Sequence, residues 1–400
     1  RPTLDFNFAA VKKLDSRITY TRSGPASYVN ESGKVVLVAD NAPRFDHDPA
    51  TRESKGLLME ESRTNILPYS FDESKWATNS AGTLTRNAGT APDGTETATK
   101  ISTSSTDMDV GPTVSNGDSN TYISISASTA YTFSVWAKAS TTAQVGNTFK
   151  VRMKRTSGTL FTAEATFTLT ANWAQYSVTG TTANDNTAIW CYVGGVTGSE
   201  ALVWGAQLEA GSAVTSLIPT YGSSAARGAD TAFIDGQDFT DAYNVPEGTF
   251  ILNGSNDDFS TTNQGMWGVE KSGNTSGYFV NLGYRVGGGN DNGDIGAWYM
   301  HSDTGSGVTQ MFKNMAVADT GVTVGVPYKT ALAYKVNDMA STTNGITVAT
   351  DSSASIAAAG EFDRFTLGGY YYDAMSTGHI QRVMYYSKRL SNNQLVTLTS

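Results

Sequence analysis

The sequence predicts an all-β chain: an N-terminal extended arm followed by two antiparallel β-sandwiches. Three observations carry that prediction. Apolar and aromatic residues recur in short runs with a period of two, as on half-buried strands. Gly (40 of 400 residues), Asn, Asp and Ser interrupt those runs at turn spacing. Charged residues are only 16% of the chain, against roughly 25% in ordinary soluble proteins, which leaves the polar surface to Ser, Thr and Asn.

Residues 1–66 hold short extended pieces. Leu4, Phe6 and Phe8 alternate, Tyr28-Val29 and Val35 to Val38 flank the turn Ser32-Gly33, and Asn41 to Pro49 reads as a rigid polar loop. So few strands have little to bury by themselves. The stretch is therefore expected to be an attachment and oligomerisation arm, and a chain lacking it is expected to keep two folded sandwiches. Arg17, Arg22, Arg44 and Arg63 are interleaved with Asp15, Asp46, Asp48 and Glu60, an arrangement suited to ion pairs that pin irregular backbone.

Residues 67–218 form the first sandwich. Its alternating runs include Tyr131 to Ala137, Phe149 to Met153, Ala163 to Leu169, Ile189 to Val193 and, last, Leu202, Trp204 and Ala206. Pro219 then imposes extended backbone, and Gly222 to Gly228 offers little apolar surface, so residues 219–230 read as an accessible linker open to trypsin after Arg227. Residues 231–400 form the second sandwich, with strand-like runs at Gly248 to Leu252, Gly265 to Val269, Lys329 to Tyr334 and Phe362 to Leu367. Asn344-Gly345 is a hairpin turn. Gly378 to Leu390 reads as one long closing strand, after which Ser391 caps a short helix carrying Leu395 and Leu398.

Charge and composition exclude several classes. A net charge of -9 argues against a phosphate-binding surface, so no nucleic acid is expected as partner. No run of 18 apolar residues exists, so no helical membrane insertion is expected. The single cysteine, Cys191, permits neither an intrachain disulfide nor a cysteine-based zinc cluster, and its apolar neighbours Ala188 to Val193 predict burial. His47, His301 and His379 have no neighbours that make a metal pair or a Ser-His dyad. Because the first residues already alternate, the sequence is expected to begin downstream of the true start.

Two constellations offer binding chemistry. Asn290, Asp291, Asn292 and Asp294 gather oxygen ligands suited to calcium, with Asn256-Asp257-Asp258 as a second cluster, although no bidentate Glu closes the loop and the same residues favour a glycine-rich loop tip. Calcium is the one candidate cofactor. Trp298, Tyr299, Tyr370, Tyr371, Tyr372 and Asp373 supply aromatic faces beside an acceptor, as a sugar site requires, and consecutive tyrosines on a strand point to opposite faces.

The motifs L-D-F-N-F, L-D-S-R-I-T-Y-T-R-S (Leu14 to Ser23), N-A-P-R-F-D-H-D-P and G-L-L-M-E-E-S-R-T-N (Gly56 to Asn65) stand in one order over about sixty residues. Together with W-G-A-Q-L-E-A-G-S (Trp204 to Ser212) and R-G-A-D (Arg227 to Asp230), they resemble virion appendage proteins of tailed phages and prophages, of the head spike or tail fibre type. The Y-T-F-S-x-W-x-K run from Tyr131 resembles a strand of their carbohydrate-binding-module-like jelly roll, and the closing strand and L-S-x-x-Q-L turn resemble a concanavalin A-like (laminin G type) lectin sandwich. The usual T-R-A-A-D exit is replaced here by Ala226 to Asp230. The resemblance implies a non-enzymatic structural protein located in the virion. Its expected partners are other virion proteins through the arm, further copies of itself with a trimer favoured, and a host-surface glycan. The alternative is a tailspike-type polysaccharide depolymerase. Concanavalin A-like glycosidases carry E-x-D-x-x-E, whereas this chain has Glu361 and Asp363 with Thr366 in the acid/base position, which removes one of the two carboxyls such a mechanism needs. A bacterial surface adhesin is a third reading and predicts an export signal upstream of Arg1.

Overall fold

Strand Ala130–Ala139 shows how the sequence builds the first sandwich: Phe133, Val135 and Ala137 enter one hydrophobic cluster and Trp136 another, as residues on opposite faces of a pleated strand must. The computed structural model describes residues 1–71, 75–78, 82–104, 109–112, 123–155, 159–194, 197–258, 264–273, 279–286, 292–301, 308–316, 322–346, 348–370 and 374–400. The chain is all-β, with antiparallel sheets and short helices. None of its described helices is long and apolar enough to cross a membrane.

One sheet of the first sandwich runs in the order Ala174–Thr181, Ala130–Ala139, Glu200–Ala210, Ala98–Thr103, Gly82–Gly89. The facing sheet runs Phe161–Thr168, Thr148–Arg155, Ala188–Gly194, Asp109–Pro112, Trp76–Thr78, with Ile123–Ser124 also on Ala188–Gly194. Phe133, Phe149, Met153, Val203, Leu208 and the buried Cys191 fill the space between them. Glu200–Ala210 is buried on both faces. At Gly205 the backbone takes a φ of 65° and the register with Ala130–Ala139 slips between Ser134 and Trp136. Only glycine relaxes there, and a Cβ would lie 3.0 Å from Leu217 Cδ2.

The second sandwich departs from expectation. Its first sheet runs Ala349–Asp351, Met339–Thr343, Tyr328–Lys335, Glu247–Asn256, Gly378–Tyr386, Ser54–Met59, Phe45–His47, with Leu4–Asn7 also paired to Gly378–Tyr386. Its second begins Thr19–Thr21, Thr231–Asp235, Arg364–Leu367, Gln264–Glu270 and continues through Phe279–Val286, Asn292–His301 and Val308–Ala316. Residues 1–66 are thus no separate arm. Leu4, Phe6, Phe8, Leu57 and Met59 are buried in one cluster with Phe250, Trp267, Phe365 and Tyr385. The alternation at Leu4, Phe6 and Phe8 is that of a half-buried strand, and its partner stands at the far end of the sequence. Even the stretch expected as a polar loop contributes strand Phe45–His47.

The same segment covers the first sandwich. Hairpin Ala26–Val29/Val35–Val38 lays Val29 and Val35 against Trp136, Leu202, Trp204 and Leu217, so Trp204 is buried outside the inter-sheet core. The expected linker is also pinned. Ala225–Arg227 pairs with Arg63–Asn65, and Arg227 and Asp230 are fully buried, which closes the Arg227 bond to trypsin. The reason is close packing of small residues: a Cβ on Gly24 would sit 2.2 Å from the carbonyl oxygen of Ala226. At the other end, Ser391 and Gln394 form a capping box on helix Asn392–Thr399, and Asn344 and Gly345 take φ of 50° and 66°, both as the sequence predicts.

Candidate functional site

The arginines of the N-terminal segment do form ion pairs, with partners that local sequence only half reveals. Arg17 pairs with Asp15 at 2.8 Å. The buried Arg44 pairs with Glu60 and Asp230 and donates to Ser216 Oγ at 2.7 Å. Arg22 lies 3.7 Å from Asp230. Arg227 lies 3.1 Å from Glu60 and donates to the carbonyl oxygen of Glu61 at 2.8 Å, while Arg63 reaches Glu61 at 2.5 Å and Glu209 at 3.9 Å. Asp230 also accepts from the Glu60 amide at 2.7 Å and from the Tyr20 hydroxyl. Burial pushes the Glu60 carboxyl up, but Arg227 and Arg44 together bring it down to about 2. Burial holds the Arg227 guanidinium below its ordinary value and the Glu209 carboxyl above its own. This network ties the N-terminal segment to the exit of the first sandwich and the entry of the second, and its members are the arginines and acids of the sequence motifs. Among the described residues Asp48 pairs with no arginine: it accepts from Ala50 and Thr51 amides in its own turn.

Beside the network, His379 on the closing strand stands between two carboxylates. Its Nε2 is 2.8 Å from Asp46 Oδ2 and its Nδ1 is 3.3 Å from Asp257 Oδ2. Carboxylates only accept, so Nε2 donates to Asp46, and the two negative charges favour the protonated ring. Burial alone pushes His379 down, but Asp257 and Asp46 outweigh it and raise the group to about 9. Asp46, which also accepts from the Val29 amide at 2.7 Å, is held below its ordinary value: burial pushes it up, and the bond and charge of His379, with Lys55 and the Val29 amide, together more than reverse that. His47 turns the other way, its Nδ1 donating to the Val29 carbonyl at 3.1 Å.

His379 and Asp46 lie on the wall of a cleft of about 360 Å³ where the three segments meet. Val29, Val35, Leu58, Leu217 and Trp136 make its apolar wall. Tyr28, Lys55, Gln175, Ser216 and Asp257 are half-buried around it and bring a phenol, an ammonium, an amide, a hydroxyl and a carboxylate. The Gln175 amide is loosely held, with contacts of 3.4 Å to Ser134 Oγ and to the Thr215 carbonyl. An apolar wall with a few convergent polar groups suits a ligand that is itself amphipathic and rich in hydroxyls.

The structure does not bring the sequence-derived candidates together into this site. Trp298 and Tyr299 lie within strand Asn292–His301, opposite Asn281 and Val280 on one side and Phe312 and Met311 on the other. Tyr370 pairs with Ala374, and Tyr371, Tyr372 and Asp373 lie outside the described residues. Asn290 and Asp291 also lie outside them. Asn292 and Asp294 are strand residues and not a loop tip, because the ladder with Phe279–Val286 runs on to Val286. Asn256 of the second acidic cluster is spent on Tyr328, Gln264 and Ser376. Among the described residues, no three His, Cys, Asp or Glu side chains are grouped to hold a metal ion. Local reading placed Asp257 in an acidic cluster and found no neighbour for His379, but did not join the two; D-H-D at 46–48 was a signal whose partner is distant in sequence.

No family model and no curated protein matches the chain. Some solved structures are similar to part of the chain at a low level. The carbohydrate-binding module CBM40 of the Ruminococcus gnavus IT-sialidase, bound to α2,3-sialyllactose, is 18% identical over 41% of this chain and 88% of its own, with a TM-score of 0.30. Domain 4 of a GH43 extracellular arabinanase from Geobacillus stearothermophilus, in complex with arabinotriose, is 15% identical over 43% and 73%, with a TM-score of 0.32. The CBM22-1–GH10 modules of a Clostridium thermocellum xylanase, complexed with xylohexaose, are 14% identical over 39% and 30%, with a TM-score of 0.27. Similarity of this degree does not carry a ligand from one protein to another.

Proposed function

We propose that the chain is a non-enzymatic, glycan-recognising appendage protein of a tailed-phage or prophage virion, with the cleft at the junction as its recognition site. Its partners on this reading are a host-surface glycan, other virion proteins and further copies of itself, a trimer favoured. The observation that carries glycan recognition is the cleft, whose apolar wall around Trp136 faces the amide of Gln175, the ammonium of Lys55 and the carboxylate of Asp257. The virion reading is supported by the ordered motifs of residues 4–65, whose arginines and acids build that junction. The non-enzymatic reading is supported by the acids of the E-x-D-x-x-T stretch. Glu361 accepts from the Ala358 amide at 2.9 Å, Asp363 from Ser272 at 2.7 Å, and Thr366 is buried.

The test is binding of the purified chain to an array of bacterial capsule, O-antigen and peptidoglycan oligosaccharides. Gln175→Ala and Lys55→Ala are each expected to weaken the best ligand about tenfold, the loss of roughly one hydrogen bond to a desolvated site, with no reducing ends released. Parent-like binding by both variants would remove the cleft from the reading. Release of reducing ends would move it to the depolymerase.

A further inference from the structure

Tyr221 is 76% exposed, yet its position is fixed. Its backbone bridges Tyr69, the Gly222 amide donates to the Pro68 carbonyl at 2.6 Å, and the Ser70 amide donates to the buried Thr220 Oγ1 at 2.9 Å. Beneath the ring a column of aromatics descends into the protein. Phe71 lies 5.6 Å from Tyr221 and 4.7 Å from the buried Trp204, whose Nε1 donates to Thr97 Oγ1 at 3.2 Å. Half-buried Tyr69 stands alongside, with the Lys75 ammonium 5.7 Å over its ring. An exposed aromatic face on so rigid a base is ordered before any ligand arrives, so a ligand loses little affinity to the ordering of the site.

The size of this platform decides what fits it. An aromatic side chain buries about 150–250 Å², so one exposed and two half-buried rings present a few hundred Å² at most. That falls short of the roughly 500 Å² per partner, about 1,000 Å² in all, that a stable protein interface needs, and it matches one or two sugar rings. The exposed Ser223 and Ser224 follow directly and supply hydroxyls beside the rings.

We propose that Tyr221, held from beneath by Phe71 and flanked by Tyr69, forms a second glycan subsite, on which the C–H face of a pyranose stacks while its hydroxyls reach the adjoining serines. The proposal rests on the reading that the chain binds glycans, but the platform is separate from the cleft.

The experiment uses the full chain and the best array ligand, with affinity measured by calorimetry and the sugar protons followed by NMR. Tyr221→Ala is expected to weaken binding about three- to tenfold, the worth of one aromatic contact, and to abolish the upfield ring-current shift of the sugar protons. Tyr221→Trp is expected to keep both. The thermal midpoint of Tyr221→Ala should match the parent, because the ring is at the surface. If the ligand binds and only Gln175→Ala and Lys55→Ala weaken it, the platform is overturned while glycan recognition stands. If no oligosaccharide binds the parent, both readings fall.

Discussion

The two sandwiches are closed by opposite means. Every strand in the two sheets of the first lies between Trp76 and Ala210, so its core is assembled from one continuous stretch. The second takes Leu4–Asn7, Thr19–Thr21, Phe45–His47 and Ser54–Met59 from the beginning of the sequence, with the entire first sandwich intervening. A unit that is contiguous in space need not be contiguous in sequence, and apolar residues that look too few to form a core can be the missing part of another.

That contrast is broken most directly by deleting residues 1–66. The second sandwich then loses Leu4, Phe6, Phe8, Leu57 and Met59 from its core. At about 1.5–3 kcal/mol for each buried side chain, the loss is on the order of 10 kcal/mol, comparable with the whole stability of a domain. The truncated chain is expected to keep the first sandwich and to lose the near-ultraviolet dichroism of Trp267. Two intact cooperative transitions in calorimetry would refute it.

A smaller effect separates the ion pairs of the two regions. Arg44→Ala leaves Glu60 and Asp230 short of a buried partner and is expected to cost about 3–5 kcal/mol. Lys150→Ala removes a partly exposed cross-strand pair with Glu164 in the first sandwich and is expected to cost less than about 1 kcal/mol. Urea denaturation that gave equal losses would show that the junction network contributes nothing beyond a surface pair.

A third effect is a pH dependence of the second sandwich and its junction. Asp257 and Asp46 raise His379 to about 9 when folded, above its ordinary 6.5, so its contribution is complete below about pH 6.5 and is lost as pH rises through 9. The shift corresponds to about 3 kcal/mol. Glu60 has the opposite sign: its folded value of about 2 lies below the ordinary 4.5, so its contribution holds above pH 4.5 and falls away toward pH 2. Parent stability should decline between pH 6.5 and 9, and His379→Gln should flatten that limb while leaving the acid limb in place. An unchanged alkaline limb in the variant would mean that another group titrates there.

What could be read from the sequence follows the range of the interactions. The strands of the first sandwich, the burial of Cys191, the Asn344-Gly345 turn and the Ser391 capping box depend on neighbours a few residues away, and alternation or turn chemistry exposes them. Arg17 and Asp15 are two apart and were legible for the same reason. Asp230, which completes the pairs of Arg22 and Arg44, and the Asp46-His379-Asp257 arrangement join residues with no common local pattern. The arginine-rich motifs showed that ion pairs were needed, and only the fold supplied the second partner. The cleft was illegible because its walls come from three segments, whereas clusters such as Asn290 to Asp294 drew attention by being contiguous.

The pairing of Asp5 with Arg382 spans 377 residues. At roughly 5–20 residues per second of synthesis, the strand that opens the second sandwich waits on the order of 20–75 s for the one that completes it. During that interval Leu4, Phe6 and Phe8 have no native sheet to join, and Leu57 and Met59 have only the neighbouring strand Phe45–His47, while the first sandwich already has all its strands. The early strands are therefore exposed to non-native pairing, and the burden of holding them falls on whatever the nascent chain meets first: a chaperone, or the outer face of the finished sandwich that the Ala26–Val29/Val35–Val38 hairpin comes to cover.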